Sequence, residues 1–289
     1  MYSPAFRFSR SSHLQANRPL TDDELRKVAP SVFADAPHAS RSGRYAYIPT
    51  IEVLNSLRRE GFEVYSARQS KSRTEGREDH TKHLLRLRHA SQIDAKAVVG
   101  DSVAEILLLN SHDGTSSYQM MGGAHRFVCS NGMVVPEGIC ETVRVSHAGQ
   151  VIDRVRSGAF EVLDGLTRVI ESRDAMRSVQ LSVRESVAFA KAALQLRFDA
   201  KPAGEGEAIA PPPVTEADVL QVRRHADDAS DLWTTLNRTQ ENLVRGGLRG
   251  RSAAGQRITT RAVTGIDQDV KLNRALWTLA DEMRKLKTA

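Results

Sequence analysis

Residues Ala104 to Val135 read AEILLLNSHDGTSSYQMMGGAHRFVCSNGMVV, and this stretch decides the fold. It holds three apolar, strand-like runs: Ala104 to Leu109, Ser117 to Met121 and Arg126 to Val135. Turn chemistry separates them at Asn110-Ser111-His112-Asp113-Gly114 and at Gly122-Gly123. Asp113-Gly114 supplies the positive φ that a tight hairpin requires, and Asn131-Gly132 repeats the device at the end of the third run. The pattern predicts the core of an antiparallel sheet. No catalytic signature stands out within it, so function has to be read from charge, architecture and resemblance.

Working outward, Phe62 to Gln69 alternates apolar and polar residues as a half-buried strand does, and His83 to Arg88 forms a second strand. The polar segment Ser70 to Lys82 joins them as a long, exposed and mobile hairpin connection. Before this pair, Thr50 caps a helix with Ile51, Leu54 and Leu57 on one face and Gly61 at its end. In the arm 1–47, Thr21-Asp22-Asp23-Glu24 is a capping box for a short helix from Asp22 to Ala29, stopped by Pro30. Aromatic residues Phe6, Phe8, Phe33, Tyr45 and Tyr47 are placed to dock that arm. A helix or coil spans Ala90 to Val99.

After the central stretch, Ile139 to Val145 alternates as another strand. The period then becomes helical from Gln150 to Phe198, as two helices separated near Ser172-Arg173-Asp174. Asp199 to Pro213 has a linker's composition, stiffened by three prolines. From Val214 onward the chain reads as helices around the segment LVRGGLRGRSAAGQRITTRAVTG. The fold class is α+β: an antiparallel sheet backed by helices, with a C-terminal helical extension. The organisation is an arm over 1–47, a core over 48–198, a linker over 199–213 and a helical region over 214–289.

Composition bounds the function. The 289 residues carry net charge +6, with a pI near 9.5 and a mean hydropathy of −0.39. That excess favours an acidic polymer as partner and excludes acidic mimicry of DNA; its bland alternative is simple solvation. Cys129 and Cys140 are too few for a disulfide scaffold and sit in apolar runs as small buried hydrophobes. With no apolar leader core and no apolar run near ~18 residues, the expected place is the cytoplasm.

Two basic groups stand out. Leu236 to Ala262 carries Arg238, Arg245, Arg249, Arg251, Arg257 and Arg261 against Glu241 alone. Its Gly-Gly-Leu-Arg-Gly-Arg core lets amides and guanidinium forks approach phosphates; a solvated loop or a subunit contact are the alternatives. Around the first hairpin lie Arg58, Arg59, Arg68, Lys71, Arg73, Arg77, Lys82, Arg86 and Arg88. Arg86 and Arg88 share a face of their strand and, with Arg68 on the paired one, predict a groove for a nucleic-acid backbone, joined by Arg126. An exposed sheet face without a ligand is the plain alternative.

Enzyme readings have less support. His112, Asp113, His125, Cys129 and Cys140 lack the spacing of a metal site, and nothing near Cys129 lowers a thiol pKa. Gly122-Gly123 lacks the Lys-Ser/Thr of a phosphate-binding loop, so no cofactor is expected.

The words Asn110-Ser111-His112-Asp113-Gly114 and Arg126-Phe127-Val128-Cys129-Ser130-Asn131-Gly132-Met133 resemble a large family of uncharacterised phage and plasmid proteins. Those share an N-S-x-D-G turn and an R-x-V-C-x-N-G-M strand, and the resemblance implies a mobile-element protein. In the order of its elements the chain is also similar to the single-strand annealing recombinases. That resemblance implies rings or filaments that bind single-stranded DNA and promote annealing without nucleotide hydrolysis. The expected function is therefore single-stranded DNA binding and annealing by a homo-oligomer. The rival is a protein-directed inhibitor of a host defence or restriction system.

Overall fold

The structure is a computed structural model that describes residues 11–72, 74, 76–90, 102–126, 131–145, 152–198 and 211–288. Expectations for Phe6, Phe8, Arg73, Cys129, the Ala90 to Val99 segment and linker residues 199–210 concern positions that lie wholly or largely outside these.

Seven strands form one antiparallel sheet: β1 (Ser11–Gln15), β2 (Phe62–Ser70), β3 (His83–His89), β4 (Ser102–Asn110), β5 (Tyr118–Arg126), β6 (Asn131–Val134) and β7 (Val143–Val145). The first six are adjacent in chain order. The outer edge of β5 is shared, residues 123–126 pairing with β6 and residues 118–120 with β7. The α+β class expected from the sequence is the one observed.

Gly122 and Gly123 do not turn the chain; they lie inside β5, opposite Ile106 and Glu105. Their lack of a side chain serves packing. A Cβ on Gly122 would stand 2.6 Å from the Cys140 sulfur, and one on Gly123 would stand 2.2 Å from Leu107 Cδ1 and 2.7 Å from the Met133 carbonyl oxygen. Asn131-Gly132 likewise opens β6 instead of ending a strand, because Gly132 leaves room for the Arg86 guanidinium. The expected Asp113-Gly114 turn is present, with Gly114 at φ 78°.

Helices cover one face. α2 (Thr50–Arg59) and α3 (Ile152–Ser178) pack on it, and α3 brings Gly158 against Val143 and Gly165 against Cys140. α3 runs through Ser172-Arg173-Asp174, where a break was expected; the chain turns at 179–182 instead. There Leu181 N–H donates to Ser230 O, and a Ser182–Glu185 capping box starts α4 (Val183–Arg197). The strand expected over Ile139 to Val145 is confined to β7, and Cys140 is a buried thiol whose pKa burial pushes up.

The other face is covered too, so β2 and β3 are not half-buried: nearly every side chain in them is enclosed. α7 (Ile266–Thr288) lays Ile266 and Val270 over Leu84, Leu107, Leu109, Met121 and Val134. Two ion pairs bolt its first turn down, Arg68 to Asp269 at 2.9 Å and Lys82 to Asp267 at 2.7 Å. Beyond the short α5 (Glu216–Val219), α6 (Leu232–Arg245) stacks beside α7, with Trp233 edge-on to Trp277. One core runs from Leu20 in the arm through the sheet to Ala280 in α7.

The arm is pinned by a buried relay. α1 (Asp22–Val28) has the expected Thr21–Glu24 capping box, and Pro30–Phe33 follows as a short 3-10 turn. Ser31 Oγ donates to Gln69 Oε1 at 2.7 Å, so its lone pair faces His83 Nδ1, also at 2.7 Å. His83 is thereby the Nδ1–H tautomer, and its Nε2 accepts from Thr50 Oγ1 at 3.0 Å, which in turn accepts from Asn110 Nδ2. Thr50 is therefore no cap; Pro49 holds that position and the hydroxyl is spent inside. Tyr45 donates to Ser111 O, and the Tyr47 ring leans tilted against His112.

Substituting Gly123→Ala forces a methyl group into Leu107 and the Met133 backbone, and we expect a loss of about 1–3 kcal/mol in urea unfolding. Gly138→Ala, where nothing lies within 4 Å of the added carbon, should be close to neutral and serves as the control.

Candidate nucleic-acid interface

The segment between α6 and α7, for which a solvated loop is one of the alternatives the sequence leaves open, is a β-hairpin. Gly246 and Gly247, both at positive φ, take the chain out of α6, and a Cβ on Gly246 would meet the backbone of Arg261 and Ala262 at 2.7 Å. β8 (Arg249–Arg251) and β9 (Arg257–Thr259) then pair, with Arg249 opposite Thr259 and Arg251 opposite Arg257. Ser252 and Gly255 close the tip. At the base, Thr260 N–H donates to Leu248 O and Val263 N–H to Val244 O, while Leu248 and Val263 are buried.

Because side chains alternate across a strand, Arg249, Arg251, Arg257 and Thr259 share one face of the ribbon. Gly250 and Ile258 form the other, which sits on the chain at Pro213: Arg251 N–H donates to Pro213 O at 2.8 Å. The arginine face is exposed, and none of Arg249, Arg251, Arg257 and Arg261 has a carboxylate partner among the described residues. Arg251 Nη1 donates to Gly255 O, which orients one guanidinium at the tip. Like charges directly opposite in a strand pair repel, so an anion bound between Arg251 and Arg257 would relieve that repulsion. Arg245, at the root of the ribbon, is mostly exposed and reaches Glu241 at 3.4 Å. Arg197 of α4 donates to the Arg261 carbonyl at 3.1 Å.

The arginines expected to line a groove on the sheet are elsewhere. Arg86 and Arg88 are 7% and 3% exposed and share one fully buried carboxylate, Glu105, at 3.2 and 2.8 Å. Arg86 also donates to Gly132 O. Arg126 is buried against Asp227, and Arg68 and Lys82 are the cations that hold α7. These five hold the interior together instead of forming a track, because both faces of the sheet are covered. Lys71 stays exposed. A strand pattern shows which residues share a face but not whether another layer covers it.

Burial opposes charge on Glu105, yet the permanently charged Arg86 and Arg88 guanidinium groups prevail and hold its carboxyl below the ordinary range. Burial drops His125 to about 4, and burial beside His112 drops His83 to about 3, so both are neutral at pH 7. His112 follows the end of β4 and His125 pairs with Val103 at its start, so they do not form one pocket. Among the described residues no three His, Cys, Asp or Glu side chains gather as metal ligands, and no helix is long and apolar enough to cross a membrane.

The family model described as "Domain of unknown function (DUF932)" matches residues 37–277, a span that includes β2 to β7 and the hairpin. The UPF0380 protein YafZ of Escherichia coli (strain K12) is 53% identical over 279 residues, covering 96% of this chain and 97% of its own. The UPF0380 protein YfjQ of the same strain is 52% identical over the same shares. No solved structure matches the chain.

Glu105→Gln should cost about 3–5 kcal/mol in urea unfolding, because two guanidinium groups then lose the counter-charge they share. Acid should also destabilise the protein. Histidines in the unfolded chain take up protons below about pH 6.5 while His83 and His125 stay neutral in the native state, so their contribution is complete above that pH and is lost as pH falls towards 4. At pH 5 the loss is of order 2 kcal/mol for each, read as a falling thermal midpoint between pH 7 and 5.

Proposed function

The chain belongs to the DUF932 family, and from that premise and its arginine ribbon we propose that it binds the phosphate backbone of single-stranded DNA and promotes annealing of complementary strands. The observation that carries this is the exposed face of Arg249, Arg251 and Arg257, continued by Arg261, without a carboxylate partner among the described residues. Elsewhere the protein spends its buried cations on carboxylates; here it leaves a row of them open. Guanidinium forks on a rigid ribbon match phosphate oxygens two at a time.

The ribbon also explains why bases would stay available for pairing. Residues 245–263 contain no aromatic side chain, so the contact is electrostatic and without a stacking platform. Neutralising phosphates while leaving base edges free lowers the repulsion between two complementary strands, which is what annealing needs. The step involves no bond cleavage and no nucleotide. The resemblance to annealing recombinases agrees with this reading, with the contact moved from the sheet to the hairpin.

Fluorescence anisotropy with a labelled single strand over a salt series tests it. Four phosphates on four arginines predict a slope of log K against log salt near −3, since each contributes about −0.7. Replacing Arg249, Arg251 and Arg257 together by Gln should flatten that slope by roughly two while leaving the thermal midpoint almost unchanged, these side chains being exposed. A wild-type protein that binds no oligonucleotide at low salt, or binds with a flat salt response, sinks the proposal.

A further inference from the structure

At β7 the main sheet ends in an open edge. Val143, Arg144 and Val145 pair with β5 alone, and no other strand among the described residues meets their outer side. Such an edge presents main-chain donors and acceptors to any extended segment that comes alongside. α3 lies directly over it, since a Cβ on Gly158 would stand 2.5 Å from Val143 Cγ1. Strand and helix together line a groove whose helix wall is Arg154, Ser157 and Glu161. All three are exposed, and neither Arg154 nor Glu161 has an ion-pair partner among the described residues. Arg144 alternates to the opposite face of the strand, where Glu137 neutralises it at 2.5 Å.

We infer that the occupant of this groove is the same groove of a second copy, the two chains joining their β7 edges antiparallel about a two-fold axis to make one sheet across both. The charges on the helix wall select that occupant. Arg154 and Glu161 are seven residues apart, which is two helical turns and about 10 Å along one face of α3, with the small Ser157 near the midpoint. A two-fold axis beside Ser157 runs the second α3 antiparallel to the first. Each Arg154 then meets the partner's Glu161, so a cation and a carboxylate that have no partner within one chain form two ion pairs between two chains. Helices run parallel in register would set like charges together. Because one surface serves both copies, the assembly closes at two.

Sedimentation velocity of the full chain over a range of concentrations tests this. The wild-type protein should be a dimer. Arg154→Glu sets two carboxylates together at both ends of the contact, and two such reversals of the modest size typical of exposed pairs should weaken dimerisation about tenfold. The circular dichroism spectrum should not change, the residue being exposed. Adding Glu161→Arg to Arg154→Glu restores opposite charges and should return the affinity to near its original value, a recovery that damage to the fold would not give. A wild-type protein that is monomeric at every concentration overturns the inference, and so does one that grows beyond two copies. A dimer that Arg154→Glu leaves unweakened, or that the double substitution fails to recover, is held by another surface and overturns it as well.

Discussion

A carboxylate with no exposed surface, Glu105, holds two guanidinium groups in the middle of a sheet that is covered on both faces. Charges removed from water are tolerated only when paired and hydrogen-bonded, and much of the architecture follows from that requirement. Gly132 lacks a side chain so that Arg86 fits, and its carbonyl takes one of that residue's remaining protons. His125 is left neutral beside them. Arg68 and Lys82 meet the same need by drawing Asp269 and Asp267, and with them the start of α7, onto the sheet.

The same chemistry continues into the C-terminal helices as a buried polar seam. Asp269 accepts from Arg68 and from Asn273, and Asn273 accepts from Gln240 of α6. Asp227, held by Arg126, also receives Arg224, which forks onto Glu241 at 2.9 and 2.5 Å. Asn242 ties α6 to the carbonyls of Val219 and Gln221. α6 therefore ends in a rigid, fully engaged turn, and the arginine ribbon is launched from it through Gly246 and Gly247. A ribbon only three residues long on each side gains its fixed direction from this root and from Pro213 behind it. That is what a contact made by charge alone needs, since guanidinium groups on a mobile loop lose much of their attraction to ordering entropy.

Gly122-Gly123 and Asn131-Gly132 have the composition of turns, but here glycine is selected by what approaches it: the sulfur of Cys140, Leu107, and the guanidinium of Arg86. The sequence is the same in both cases, and only the neighbouring layer distinguishes them. The hairpin is illegible in the sequence for a related reason. Arg249-Gly250-Arg251 and Arg257-Ile258-Thr259 do alternate about a Ser-Ala-Ala-Gly turn, but the alternation is of charge with small or apolar residues, and it is too short to register as a strand.

The sequence by itself determined the elements whose causes are local. These include the capping box at Thr21, the apolar alternation that makes the sheet, the helical period from 152 to 197, and the concentration of arginine between 245 and 261. Membership in an uncharacterised family, expected from the sequence, is what the match over residues 37–277 shows. Which arginines face solvent was decided only by tertiary structure. A cation is buried or left open by residues a hundred or two hundred positions away, as Arg126 is by Asp227 and Arg68 by Asp269, and no period or propensity within a strand carries that information.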